Sequence, residues 1–261
     1  MSRALAGWLV ACYAFLYAPI GFLIVFSFND GRMVTVWSGA SMRWYVALAH
    51  DQALIDATLL SLRIAAVSAT LAALVGTLAG YALARFGRFR GRGALEAALA
   101  APLVLPEVIT GLSMLLLFVV LEQLVGWPAG RGATTVTLAH ASVSVAYVTM
   151  VVRARLAGSF TTLEEAAMDL YAPPWQAFAF ITLPLMVPAL AAGWLLSFTL
   201  SMDDVVVASF TSGPGASTLP MVVFSATRLG VTPEIYALAT VIVTVVAAGL
   251  CALSLVRRHA A

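Results

Sequence analysis

No lysine occurs anywhere in this 261-residue chain, and all fourteen basic residues are arginine. That absence excludes the Walker A lysine with which a P-loop holds nucleotide phosphates, and with it Schiff-base chemistry on a lysine amine. Any energy drawn from ATP must come through another chain. Charge is scarce as well: 10% of the residues are charged while 62% are hydrophobic, against roughly 45–50% apolar usage in a soluble domain, so a water-soluble fold of this length is not expected. Two cysteines, Cys12 and Cys251, both fall in apolar runs, where a thiol packs as a small hydrophobe, and they suggest neither a disulfide nor a metal site. The sequence also lacks a His-Glu-x-x-His zinc helix and a Gly-x-Ser-x-Gly nucleophile elbow. His140 has no acidic partner on its own helix, and Asp203 and Asp204, being neighbours, cannot close on each other from opposite helices. These gaps argue against a membrane-embedded hydrolase.

What is present is a series of long apolar runs. A hydrocarbon core about 30 Å thick needs about 20 apolar residues per helix, so the chain has room for about six spans in a single transmembrane domain over 1–261 and for no second sizeable soluble domain. The expected spans are 5–28, 57–83, 98–121, 134–152, 185–207 and 233–256. The first exceeds the roughly 7–15 residues of a secretory signal's apolar region and no small-residue cleavage pattern follows it, so it is read as a span. Six spans put both termini on one side. Arg3, Arg85, Arg88, Arg90, Arg92, Arg153, Arg155, Arg257 and Arg258 fall on that side, while Arg32, Arg43, Arg131 and Arg228 oppose them and Arg63 lies within the second span. The excess of arginine on the side of the termini predicts that this side is cytoplasmic.

The outer segment 29–56 carries Trp37, Trp44 and Tyr45, which suit either an interfacial loop or a docking surface. The segment 208–231 contains the turn Ser212-Gly213-Pro214-Gly215 and then an apolar piece too short to span, expected to dip into the membrane or lie along it. Thr232-Pro233-Glu234 supplies a cap, a first-turn proline and an acid at the positive end of the sixth helix.

The cytoplasmic loop at about 153–184 does not read as a solvated linker. Thr162-Leu163-Glu164-Glu165 fits a capping box, Ala166, Ala167, Met168 and Leu170 continue a helix, and Pro173-Pro174 end it. A second short helix is expected to present Trp175, Phe178, Ala179 and Thr182 on one stripe. An apolar helix-turn-helix outside the membrane needs a packing surface, and these residues alone leave lipid, the chain's own spans and a partner open.

The same loop resembles the E-A-A motif of binding-protein-dependent ABC importer permeases, which runs Glu-Ala-Ala, three residues, Gly, nine residues and Ile-x-Leu-Pro. Here Glu165-Ala166-Ala167 is followed by Met168-Asp169-Leu170, by Tyr171 in the glycine position, and after nine residues by Ile181-Thr182-Leu183-Pro184. The resemblance implies an all-α polytopic membrane protein with the type I importer permease core. It also implies a cytoplasmic coupling helix-turn-helix that inserts into an ATPase subunit. The residues it marks for that role are Glu164, Glu165, Ala166, Ala167, Asp169, Tyr171, Ile181, Leu183 and Pro184. Glycine at 171 would ease a left-handed turn, and tyrosine departs from that pattern.

The stretch from Ser197 to Val206, continuing through Ser209-Phe210 and Ser212-Gly213-Pro214-Gly215, looks like the putrescine and spermidine permeases, as does Gly230-Val231-Thr232-Pro233-Glu234-Ile235. This similarity implies a bacterial inner-membrane subunit that catalyses no bond chemistry and binds no cofactor, with ATP–Mg on two partner ATPase subunits. A second, non-identical permease, a periplasmic solute-binding protein and membrane lipid complete the implied partners, with no nucleic acid among them.

Carboxylates inside a membrane are costly and by default mark a bundle interior or a solute path. Glu107 is expected about nine residues into the third span, roughly 14 Å deep at 1.5 Å per residue, in a helix broken around Pro106 with Pro102 and Gly111 nearby. Asp203 and Asp204 are expected roughly 27 Å from the cytoplasmic end of the fifth span, and only one of these neighbours can face a central path. Each acid can equally serve structure or interfacial anchoring. Three acids without lysine suit a cationic solute, and Tyr147, Trp194 and Ser197 are candidates for added cation–π or hydrogen-bond contacts, or for plain packing. The alternatives are an importer for a metal ion or an anion, and an ion-coupled secondary transporter, which would have no need of the coupling loop.

Overall fold

The computed structural model describes residues 3–33, 36–157, 160–230 and 232–259, the side chains of 3, 4, 160, 161, 229 and 249–259 excepted. The side chain of Cys251 therefore lies outside the described residues, as do those of Arg3, Arg257 and Arg258. Regular structure among the described residues is helical, apart from one isolated antiparallel bridge, Asn29 to Ala40. Among the described residues, five helices are long and apolar enough to cross a membrane: Leu5–Phe26, Gln52–Arg85, Glu107–Val125, Ala133–Leu156 and Pro174–Asp203. The sixth expected span coincides with a helix over Pro233–His259, in which the apolar stretch with described side chains, Pro233–Ala248, is shorter.

The chain divides into two compact units, residues 1–56 with 223–261, and residues 57–222. In the first, α1 (Arg3–Phe26) and α2 (Arg43–His50) both pack against α12 (Pro233–His259). The loop between α1 and α2 is tied to buried Asn29, whose side chain donates to Val36 O at 2.7 Å and accepts from Ser38 N at 2.8 Å. Trp44 donates to Asn29 O at 2.7 Å. Satisfying these buried groups orders the loop and positions α2, which the sequence reading missed.

The second unit is built on α6 (Ala133–Leu156), which packs against α4 (Arg92–Val104), α9 (Leu183–Asp203) and α10 (Val206–Thr211). Val148, Val152, Leu156 and Met186 form its densest cluster with Ala72 of α3 (Gln52–Arg85). Gly76 and Gly80, four apart on α3, make that approach possible: a Cβ on either would stand 2.7 Å from Val148 Cβ or Val152 Cγ1. This is small-residue packing of the kind that lets membrane helices close without a hydrophobic driving force, and Thr149 Oγ1 donates across it to Gly76 O at 3.2 Å.

Three expected span boundaries change. The stretch 98–121 is not one helix: α4 ends at Val104 and α5 (Glu107–Val125) begins after Leu105 and Pro106, both extended with ψ of 141° and 140°, because Pro106 offers no N–H to continue the ladder. The helix that carries the fifth expected span starts at Pro174, ahead of 185. There α8 (Pro174–Ala177) runs through a π-helical turn, Phe178–Thr182, straight into α9. It also ends early, at Asp203, since Asp204 is extended. The chain then re-enters helix as α10, which packs on α5 and α6, and α11 (Leu219–Leu229) is too short to span.

Candidate functional site

Two places in the second unit collect the sequence candidates. One is the tip formed by α7 (Phe160–Asp169) and α8. Because α7 is helical from Phe160, Thr162 lies inside its first turn and is not the cap of the expected capping box. The helix ends in a Schellman arrangement: Ala172 N bonds Ala167 O at 3.1 Å and Tyr171 N bonds Met168 O at 2.9 Å. Tyr171 holds φ of +63°, so the left-handed turn that glycine would ease is present with tyrosine in place. Pro173 and Pro174 fix the exit.

Glu164 does not point outward. It is ion-paired with Arg85 at 3.1 Å, both side chains largely covered, and accepts a hydrogen bond from Thr182 Oγ1. One carboxylate thus clamps α7 to the end of α3 and to the π turn. The rest of the tip is exposed and largely apolar: Leu163, Met168, Leu170, Tyr171, Trp175 and Phe180 all lie open, Tyr171 at 97%. Glu165, Ala166 and Asp169 are exposed on α7, Ala167 is half-buried, and in the closing motif Leu183 and Pro184 are exposed while Ile181 is half-buried. The expected second helix is the first turn of the long helix to Asp203, and it buries Ala177 and Thr182 while leaving Trp175 and Phe180 outside.

The second place is a cavity of about 270 Å³ whose lining includes Glu107, His140, Tyr147, Ser201, Asp203 and Asp204. It forms where helices stop. Glu107 is the first residue of α5, Asp203 the last of α9, and Asp204 precedes α10. The midplane depth expected for Glu107 does not follow, because α5 alone has 19 residues, about 28 Å at 1.5 Å per residue, and Glu107 opens it. A carboxylate there also meets the positive end of the helix. Gly111 lets α10 lie against α5, since a Cβ would fall 2.6 Å from the Phe210 ring.

Four of the six path candidates, Glu107, Tyr147, Asp203 and Asp204, line this cavity; Trp194 and Ser197 do not. Trp194 donates to Thr70 Oγ1 at 3.1 Å and stacks on Phe198, and Ser197 is fully buried. The residue missed is His140. It is 4% exposed, its Nε2 is 2.7 Å from Asp204 Oδ2 and its Nδ1 is 2.7 Å from Ser201 Oγ. Its acid comes from the break between α9 and α10, and the available signal was Ser201 and Asp204 three residues apart in that segment. Irregular backbone around a polar cavity is tolerated at membrane depth only where it lines water or protein. Discontinuous helices of this kind hold solutes in transporters.

The architecture is that of type I ABC importer permeases. A chain of a bacterial ABC transporter involved in the import of the acidic polysaccharide alginate superposes with a TM-score of 0.68 at 18% identity, over 99% of this chain and 98% of that one. The family described as binding-protein-dependent transport system inner membrane component matches residues 72–260, and this chain belongs to it. It is 56% identical to the putrescine transport system permease protein PotI of Escherichia coli over 88% of this chain and 82% of that protein. It is 41% identical to the spermidine/putrescine transport system permease protein PotC of the same organism, over 90% and 87%.

Proposed function

We propose that this permease subunit takes up polyamine, putrescine or spermidine, with a second, non-identical permease completing the path. The observation that carries this reading is the cavity at the helix breaks, with three carboxylates, one tyrosine and no arginine in its lining. Clustered negative charge in a partly enclosed space attracts cations and rejects anions, which disfavours an anionic solute. The names of the two relatives, both polyamine permeases, point the same way.

The mechanism is alternating access. A periplasmic binding protein delivers the amine to the outer loops, and ATP–Mg on two ATPase subunits closes them. The tip at α7 and α8 carries that closure to the spans, which expose the cavity to one side and then the other. The chain itself, one permease domain in the lipid of the bacterial inner membrane, catalyses no bond chemistry and holds no cofactor. Both termini and the tip face the cytoplasm, following the arginine excess on that side.

The test is co-purification of the chain with the partner permease and ATPase subunits, followed by ATPase measurement with binding protein loaded with putrescine, spermidine or a non-amine solute. Stimulation by the amine-loaded protein alone is expected. Uptake into vesicles that contain no ATPase subunit would contradict the proposal.

A further inference from the structure

The three carboxylates at the cavity differ in what their oxygens already hold. Asp204 Oδ1 accepts the Val207 N–H at 3.1 Å and Oδ2 accepts the Ala208 N–H at 2.9 Å, which caps the start of α10. Oδ2 also lies 2.7 Å from His140 Nε2. An ionised carboxylate offers about four lone-pair sites, so two backbone donors and a close imidazole leave Asp204 little room for a further ligand. On the far side of the imidazole, Ser201 Oγ is 2.7 Å from Nδ1 and 3.3 Å from Ser68 Oγ. A Ser201 hydroxyl donating to Nδ1 puts the ring proton on Nε2, 2.7 Å from Asp204 Oδ2.

Glu107 and Asp203 are less tied: Asp203 meets only its own backbone N–H, and no side-chain hydrogen bond to another residue holds either carboxylate among the described residues. Both line the cavity and both are exposed, and neither forms an ion pair among the described residues. Asp203 is the last residue of α9 while Asp204 is extended, so their side chains leave the chain in different directions and one can serve the cavity while the other serves the backbone. Val143, Leu200 and Val206 share the lining and suit a methylene chain.

We infer that Glu107 and Asp203 are the two ligand carboxylates for the ammonium ends of an alkyl diamine, and that Asp204, held by His140, is a positioning residue that stays out of the ligand's coordination. This rests on the amine-uptake reading above. His140 thereby sets specificity: it keeps a third carboxylate from engaging a third ammonium group, so the site favours a diamine over a triamine.

The test uses the assembled transporter in lipid nanodiscs, without binding protein, titrated with radiolabelled putrescine and spermidine on equal amounts of assembled complex. Glu107→Gln and Asp203→Asn are expected to weaken putrescine binding tenfold or more, and Asp204→Asn less than threefold. His140→Leu removes the donor and should shift the spermidine-to-putrescine affinity ratio at least threefold toward spermidine. His140→Gln, whose amide can replace the Nε2–H, should keep the wild-type ratio, a rescue that a merely structural role does not predict. If Asp204→Asn fails to assemble, Asp204→Ser, which keeps a capping oxygen, takes its place with the same expectation. The assignment is overturned if loss of the Asp204 carboxylate weakens putrescine as much as the other two changes, or if His140→Leu leaves the ratio unmoved. It is also overturned if the wild-type complex binds no amine while binding-protein-driven putrescine uptake persists. A wild-type complex that takes up no polyamine with its binding protein present overturns the amine-uptake reading itself.

Discussion

The tip and the cavity of the second unit solve opposite problems with opposite materials. The tip is drawn from one continuous stretch, is apolar, and turns Leu170, Tyr171 and Trp175 outward. Such a surface is stabilised when it is covered. The cavity is drawn from α5, α6 and the α9–α10 break, is polar, and turns its carboxylates inward. Under the proposed function, the contrast teaches that sequence proximity marks the surface offered to a macromolecule, while helix termini brought together from distant segments mark the path offered to a small cation.

If that division holds, damage to one place leaves the other intact. The largest effect is expected from Trp175→Glu combined with Leu170→Glu. A charge placed on an apolar docking surface should reduce recovery of ATPase subunits in co-purification more than tenfold, while putrescine binding by the chain and its partner permease stays within twofold. Equal loss of both would erase the distinction. Glu107→Gln is the converse: binding-protein-driven uptake should fall about tenfold with ATPase subunits recovered in wild-type amount.

Glu164→Gln tests the clamp that sits between the two. Leaving Arg85 and Thr182 with a neutral partner in a largely covered site should lower stability by about 1–3 kcal/mol, read as an earlier thermal melt of the complex, and should cut amine-stimulated ATPase activity before it affects amine binding. The smallest effect is expected at the turn. Tyr171→Gly removes the Cβ strain of a left-handed residue and should raise stability by about 0.5–1 kcal/mol, with docking unchanged because the turn geometry is already that of glycine. A fall in the melting temperature would show that the exposed ring matters more than its backbone.

The two places were unequally legible. The tip was readable because its signals are local: Glu165-Ala166-Ala167, the proline pair and Ile181-x-Leu183-Pro184 are fixed spacings within one segment. What escaped was tertiary. Nothing local says that Glu164 reaches back to Arg85, or that the helix after Pro174 continues unbroken into the fifth span through a π turn. At the cavity, composition singled out the rare acids, and Pro106 marked a break whose consequence, that Glu107 begins a helix, needed the backbone. His140 was invisible because its partner lies 64 residues away, at the break between α9 and α10. Trp194 was misplaced because an aromatic at a plausible depth has no label for which way it faces.

The helical stretch from Pro174 to Asp203 is 30 residues long, about 45 Å at 1.5 Å per residue, and it has the tip at one end and a cavity carboxylate at the other. A rod of this kind transmits twist as well as push. Each residue of register is worth about 100° of rotation, so the single π turn at Phe178–Thr182 sets the phase between the docking face and the azimuth of Asp203. Insertion of one residue between Met186 and Ala189 would leave both ends folded and both surfaces present, yet turn the carboxylate out of the cavity. Signal and solute would then meet at different angles of the same shaft.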